Sequence, residues 1–279
     1  MYLNTARLAT TSTQPFVERL AALSAQRGRL CVGIDPHAAT LTSWGLDDTL
    51  AGCESFARGL IAALGEQVAV FKPQSAFFEA HGSAGVALLG RVLRDIAAAG
   101  AISILDVKRG DIGTTMQAYA RAYLADGELS ADAVTLNPYL GFGTLTPALE
   151  LAKKNGRGLF VLTRTSNPEG ASVQQARNLD GSSVAQSIAN EAIRANDAAG
   201  TALVGLVIGA TPCEHTVELT GFNGWVLAPG IGAQGATITG LRAMFGQTCN
   251  QVLPSASREV AAVGSDPMAL RERAAQLSW

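Results

Sequence analysis

Ala101-Ile-Ser-Ile-Leu-Asp-Val-Lys-Arg-Gly-Asp-Ile-Gly-Thr-Thr115 reads as one strand, one turn and the start of one helix. The apolar run 101–105 suits a buried strand. Side chains two apart along a strand share a face, so Asp106 and Lys108 point the same way. Gly110 breaks the strand, and Asp111 is placed to cap a helix that starts near Ile112. In that helix's first turn Asp111 and Thr115 are four apart and lie on one side. One strand end thus gathers two carboxylates, an ammonium and a hydroxyl, and burying such charge is unfavourable unless a function requires it.

The same strand-then-helix unit recurs on both sides of this stretch. Strands are expected over residues 30–35, 68–72, 102–108, 133–137, 158–163, 203–208, 225–229 and, more weakly because Pro254 lies inside it, 251–257. Helices are expected over 54–64, 84–99, 112–124, 146–154, 183–199 and 267–277, with a short one after Pro212 and a long loop over 167–181. Apolar strands joined by helices make a parallel sheet covered on its outer face. Eight such units in roughly 250 residues favour a single closed (β/α)₈ TIM barrel, an α/β fold. An open doubly wound sheet is the rival, but it calls for Gly-x-Gly-x-x-Gly after the first strand, and Gly33-Ile-Asp-Pro36 is not that. The reading is one domain over residues 1–279, with the polar, Thr-rich segment 1–16 as a peripheral tail.

Composition narrows the function. A formal net charge of −2 supplies no basic stripe for nucleic acid, and no apolar run is long enough to span a bilayer. Segment 1–16 lacks the apolar centre of a secretory signal. Cys31, Cys53, Cys213 and Cys249 are scattered without metal-ligand spacing, so no metal is expected and a reduced, cytoplasmic protein is. Cys31 and Cys249, in or beside strand-like runs, read as small core residues, and His37, His81 and His215 as loop residues. Of 21 cationic side chains only four are lysines. Lys153 and Lys154 end a helix, where any cation suits the dipole. Lys72 and Lys108 instead end apolar strands, and lysine, unlike arginine, gives up a proton when its surroundings demand it.

In a barrel, chemistry sits at the C-terminal ends of the strands. Asp35, Lys72, Asp106, Lys108, Asn137, Ser166, Pro229 and Arg258 all fall at such ends or just beyond. The segment Ala228-Pro-Gly-Ile-Gly-Ala-Gln-Gly235 is a plain turn or a phosphate grip; glycines let backbone amides approach an anion, and Gln234 and Arg258 are suited to donate to phosphate. Lys72, Asp106, Lys108 and Asp111 form an alternating set of charges, either a structural ion-pair network or a catalytic one.

These residues resemble a known family. Asp106-Val-Lys-Arg-Gly-Asp-Ile112, with Lys72 one strand earlier, is similar to orotidine 5′-phosphate decarboxylase. Val32-Gly-Ile-Asp-Pro36, Phe71-Lys-Pro-Gln-Ser-Ala-Phe-Phe-Glu79, Lys108-Arg-Gly-Asp-Ile-Gly-Thr-Thr115 and Val134-Thr-Leu-Asn-Pro-Tyr-Leu-Gly141 look like its longer bacterial subgroup. The resemblance implies conversion of orotidine monophosphate to uridine monophosphate without metal or organic cofactor. It implies Lys108 as the acid that protonates pyrimidine C6 and Asp106 beside the substrate carboxylate. Lys72 and Asp111 would complete the charged network and hold ribose hydroxyls. It further implies Asp35 on ribose, Ser166 on the pyrimidine, and Gln234 and Arg258 on phosphate. Asn137 and Pro229 are expected to line the same site, and the resemblance implies that Asp111 and Thr115 reach the partner's site in a homodimer. Arg258 departs from the shorter members' Gly-Arg by following Ala256-Ser257.

Two rivals stand beside this. Sibling barrel enzymes share Asp-x-Lys-x-x-Asp but bind magnesium and act on sugar phosphates; they resemble this chain except for an acidic ligand where it has Lys72. A non-catalytic phosphonucleoside-binding protein would not need lysine at position 108.

Overall fold

The computed structural model describes residues 14–210, 217–232 and 237–278. Helix α1 (Phe16–Arg27) precedes β1 (Cys31–Ile34), and α2 (Ala38–Ser43) and α3 (Leu50–Leu64) lead to β2 (Val70–Pro73). Helices α4 (Ser75–Glu79) and α5 (Gly82–Ala98) come before β3 (Ile102–Arg109), and α6 (Gly113–Leu124) before β4 (Ala133–Leu136). Then follow α7 (Thr146–Lys154), β5 (Gly158–Arg164), α8 (Ala171–Gln174), α9 (Val184–Ala199) and β6 (Val204–Ile208). The order ends with β7 (Val226–Pro229), α10 (Ile238–Phe245), β8 (Val252–Ala256), α11 (Arg258–Ala261) and α12 (Pro267–Leu277). All neighbouring strands pair in parallel and in sequence order, and β8 pairs with β1, so the sheet is the closed barrel expected, not an open sheet.

The strands close because both of their faces are apolar. One set of side chains packs outward under the helices, as Val32, Phe71, Leu105 and Val134 do. The alternate set fills the barrel, among them Cys31, Val70, Ile104, Phe160 and Leu253. Burial pushes the Cys31 thiol up to about 12, so it fills space as a neutral group. The helices begin where capping residues supply acceptors: Thr49, Ser183, Thr237 and Asp266 each accept an amide of the first turn.

Several boundaries differ from those expected. The tail does not extend to Phe16: that residue opens α1, is buried, and meets Phe160 edge-on inside the lower end of the barrel at 6.1 Å. Gly158 has no room for a Cβ because the Phe16 ring lies against it. Arg19 holds α1 in place through Asp132 at 2.7 Å, whose other oxygen accepts the amide and hydroxyl of Ser103. Residues 1–13 lie outside the described residues. Segment 167–181 is not all loop. It contains a 3₁₀ turn, Pro168–Gly170, and α8, and Gln174 pins this to Thr165 at the end of β5.

Strand β8 tolerates Pro254, paired with Ala228 of β7, because its ladder to β1 starts only at Ser255. Cys249 is half-buried in the 3₁₀ segment Gly246–Gln251 just before β8, where it packs against the core. The short helix expected after Pro212 falls outside the described residues, as do Cys213 and His215. Among the described residues no helix is long and apolar enough to cross a membrane.

Candidate active site

The site is built on four consecutive strands at the C-terminal mouth of the barrel. Asp106 of β3 is its centre, and four donors converge on the buried carboxylate. Lys108 Nζ donates to Oδ1 at 2.6 Å and Thr135 Oγ1 of β4 donates to the same oxygen at 2.8 Å. Lys72 Nζ of β2 donates to Oδ2 at 2.9 Å, joined by Gln74 Nε2 at 3.1 Å. Burial alone would favour a neutral carboxyl at Asp106, but Lys72 and Lys108 outweigh it and hold the group well below the usual carboxylate range. Burial likewise opposes charge on Lys72, and the attraction of Asp106 and Asp35 overrides it, raising the ammonium above its ordinary value. Asp106 and Lys72 are therefore a fixed anion and a fixed cation across the working pH range.

Lys108 differs from Lys72 in that its side chain remains 43% exposed, so its ammonium meets Asp106 from the open side of the site. Its backbone adopts φ 45°, the one positive φ outside glycine among the described residues. Such a conformation costs lysine about 1–2 kcal/mol, because Cβ crowds the following carbonyl. It is reached through a break in register between Leu105 and Arg109 of β3.

Asp35 follows β1 and contributes to the potential at Lys72. Its Oδ1 is buried yet has no hydrogen-bond partner among the described residues. A buried, unsatisfied carboxylate oxygen beside the charged array suits a ligand hydroxyl. His37, two residues on, is absorbed locally: it caps α2 by accepting from the Thr40 amide. Ser166 lies two residues past β5, packed so closely against Gly209 at the end of β6 that a Cβ there would collide with it. Pro229 is the last residue of β7, and its carbonyl accepts from Ala210.

Other expected residues sit differently. Asp111 is not in the first turn of a helix: α6 starts at Gly113, Ile112 is its N-cap, and Asp111 Oδ1 accepts the Ile112 amide at 2.8 Å. Gly113 carries φ 52°, which turns the chain into the helix one residue later than expected. Among the described residues no ion pair joins Asp111 to Lys72 or Lys108, so the array within one chain holds three of the four charges expected. Thr115 is exposed on α6, close in sequence to Ile112, which is 61% exposed. Asn137 directs its Oδ1 to the Tyr139 amide at 3.0 Å and so shapes the turn after β4. Arg258 follows β8, as expected, and is the exposed first residue of α11. Gln234 lies outside the described residues, although Gly230 and Gly232 before it have φ 111° and 71°.

Thr135 and Gln74 were not singled out in the sequence. Both stand inside the quoted motifs, Thr135 two residues before Asn137 and Gln74 two after Lys72, and period-two alternation was the available signal.

Fold and site together define a (β/α)₈ barrel with two lysines and the carboxylate between them at its C-terminal mouth. The sequence matches the family described as orotidine 5′-phosphate decarboxylase / HUMPS over residues 28–272. An orotidine 5′-phosphate decarboxylase of Salinispora tropica is 53% identical over 260 residues, covering 92% of this chain and 94% of that protein. The crystal structure of a Streptomyces avermitilis protein superposes with a TM-score of 0.90 at 48% identity, covering 98% of this chain and 97% of that one. The structure of Leishmania donovani OMP decarboxylase aligns at 32% identity and TM-score 0.76, over 95% of this chain and 98% of its own. This chain belongs to the orotidine 5′-phosphate decarboxylase family.

Proposed function

We propose that this chain decarboxylates orotidine 5′-phosphate to uridine 5′-phosphate and carbon dioxide, completing UMP synthesis in the de novo pyrimidine pathway, with Lys108 as proton donor. It is a carboxy-lyase of a family that works without a cofactor. The observation that carries the residue assignment is the lysine–aspartate–lysine array, in which one ammonium is buried and fixed while the other faces the open site.

The chemistry follows from that asymmetry. Breaking the bond between pyrimidine C6 and the carboxyl carbon leaves an electron pair on a ring carbon with no sink for it. A preorganised ammonium beside C6 stabilises that growing charge and then transfers its proton to the carbon. Lys108 regains a proton from solvent through its exposed side. Asp106, held ionised, orients Lys108 and stands against the substrate carboxylate, an interaction relieved as carbon dioxide leaves. Binding energy from the distant phosphate offsets that repulsion.

Asp35 Oδ1 takes a ribose hydroxyl, Ser166 the pyrimidine, and Gln234 and Arg258 the phosphate, with Asn137 and Pro229 shaping the walls. Asp111 and Thr115 act in the partner's site of a homodimer, the usual assembly of this family, and the exposed Ile112 between them supports this. One barrel domain carries the whole activity, in the cytoplasm. Lys72 argues against the magnesium-using sibling chemistry, since a buried cation repels a divalent ion at that place.

The deciding assay follows loss of orotidine monophosphate absorbance in the presence of EDTA. Turnover persists undiminished. Activity that vanishes with EDTA and returns with magnesium assigns the chain to the sibling chemistry.

A further inference from the structure

We infer that Thr135 is a positioning residue for Lys108: its hydroxyl holds the lysine backbone in its left-handed conformation and ties it to the carboxylate that the lysine ammonium meets. This rests on the reading of Lys108 as proton donor.

The strand register isolates Thr135. Leu105 pairs with Val134, and the next β3 residue in register is Arg109, opposite Leu136. Asp106, Val107 and Lys108 on β3 therefore stand across from one β4 residue, Thr135. In such a bulge a backbone amide loses its ladder partner and needs another acceptor. The Lys108 amide donates to Thr135 Oγ1 at 2.9 Å. The Thr135 hydroxyl in turn donates to Asp106 Oδ1, and Lys108 Nζ donates to that same oxygen. Backbone amide, hydroxyl, carboxylate and ammonium close a ring that begins and ends on Lys108.

Each part of the ring has a chemical requirement. A hydroxyl both accepts and donates through one oxygen, so Thr or Ser at 135 serves the amide and the carboxylate together. Thr135 is 1% exposed, so no solvent molecule is at hand to replace it. A left-handed lysine persists only when its surroundings over-determine it, and here the outlier coincides with the proposed proton donor. Without the ring, the Lys108 backbone relaxes toward negative φ, which swings the ammonium away from its place over Asp106. Asp35, read as a ribose ligand, and Arg258, read as a phosphate ligand, lie beyond other strands and do not feel the change.

The test is steady-state kinetics on Thr135→Val and Thr135→Ser, with uridine monophosphate binding as the check on folding. Thr135→Val lowers kcat about 100-fold, the scale set by a misplacement of about 1 Å, while KM and nucleotide affinity stay within about threefold. Thr135→Ser returns kcat to within about threefold of the parent. Should Thr135→Val fail to fold, Thr135→Cys, whose thiol accepts weakly, is read by the same criteria. Undiminished kcat in the Val variant, a Ser variant as slow as Val, or a loss confined to KM each overturns the role of Thr135. Absent turnover in the parent chain removes the reading of the site itself, and with it this inference.

Discussion

Lys72 Nζ lies 2.9 Å from Asp106 Oδ2, and both side chains are closed to solvent, so the pair is a structural element of the barrel as well as part of the site. Removing one partner leaves the other charge buried and uncompensated, a loss of about 3–5 kcal/mol. Asp106→Asn is expected to lower stability in urea by that order at neutral pH.

The pH dependence of the same pair has a definite sign. The depressed Asp106 carboxyl contributes stability that is present above the ordinary carboxylate value, about pH 4, and is lost as pH falls through its folded value. The raised Lys72 ammonium contributes below its ordinary value, about pH 10, and its share is lost as pH rises through its folded value. The urea midpoint difference between parent and Asp106→Asn is thus flat from about pH 5 to 9 and narrows at both extremes. A difference that peaks sharply near pH 7 contradicts the assignment.

Lys108→Arg keeps a cation opposite Asp106 but removes the group able to release a proton, and the longer fork displaces the charge. Turnover falls by about 10³-fold or more, while uridine monophosphate still binds in calorimetry. Undiminished turnover removes Lys108 from the chemistry.

Phe16 anchors α1 in the lower end of the barrel, away from the mouth where the charged array stands. Phe16→Ala is expected to destabilise the fold by about 3–5 kcal/mol, as for other large-to-alanine changes in cores. The folded fraction keeps the parent kcat and KM. A change in KM without a change in stability would assign α1 to the site instead.

The closed barrel was legible because each strand is apolar on both faces and each βα unit repeats, a pattern that survives errors of a residue or two at the boundaries. The helix Thr146–Lys154 and the C-terminal helix Pro267–Leu277 match their expected limits, and each opens with a proline in the first turn. Helix α1 escaped notice because its buried residues are Phe16, Leu20 and Ser24, a thin stripe beside a polar tail. Short helices such as α4 and α11 carry too few residues for any period to show. At the site, Asp106 and Lys108 were found by alternation. The bulge that makes Lys108 left-handed was not, since it depends on how β4 meets β3. Thr135 belongs to the same blind spot: a threonine in a strand is ordinary until the partner strand's register is known.

Asp111 and Thr115 supply the last prediction. Asp111 is half-buried beside the exposed Ile112, and it makes no ion pair with the lysines of its own barrel among the described residues. If it completes the charged network of a second copy, a dimer of Lys108→Ala with Asp111→Ala contains one intact site, built from Lys108 of one subunit and Asp111 of the other. Each variant alone is inactive. Mixing them through a step of dissociation and reassembly yields about a quarter of the parent activity per active-site pair at equal ratio, since half the dimers are mixed and half their sites are whole. Confirmed mixed dimers that stay inactive place Asp111 outside the partner's site, and its capping of Ile112 is then its whole role.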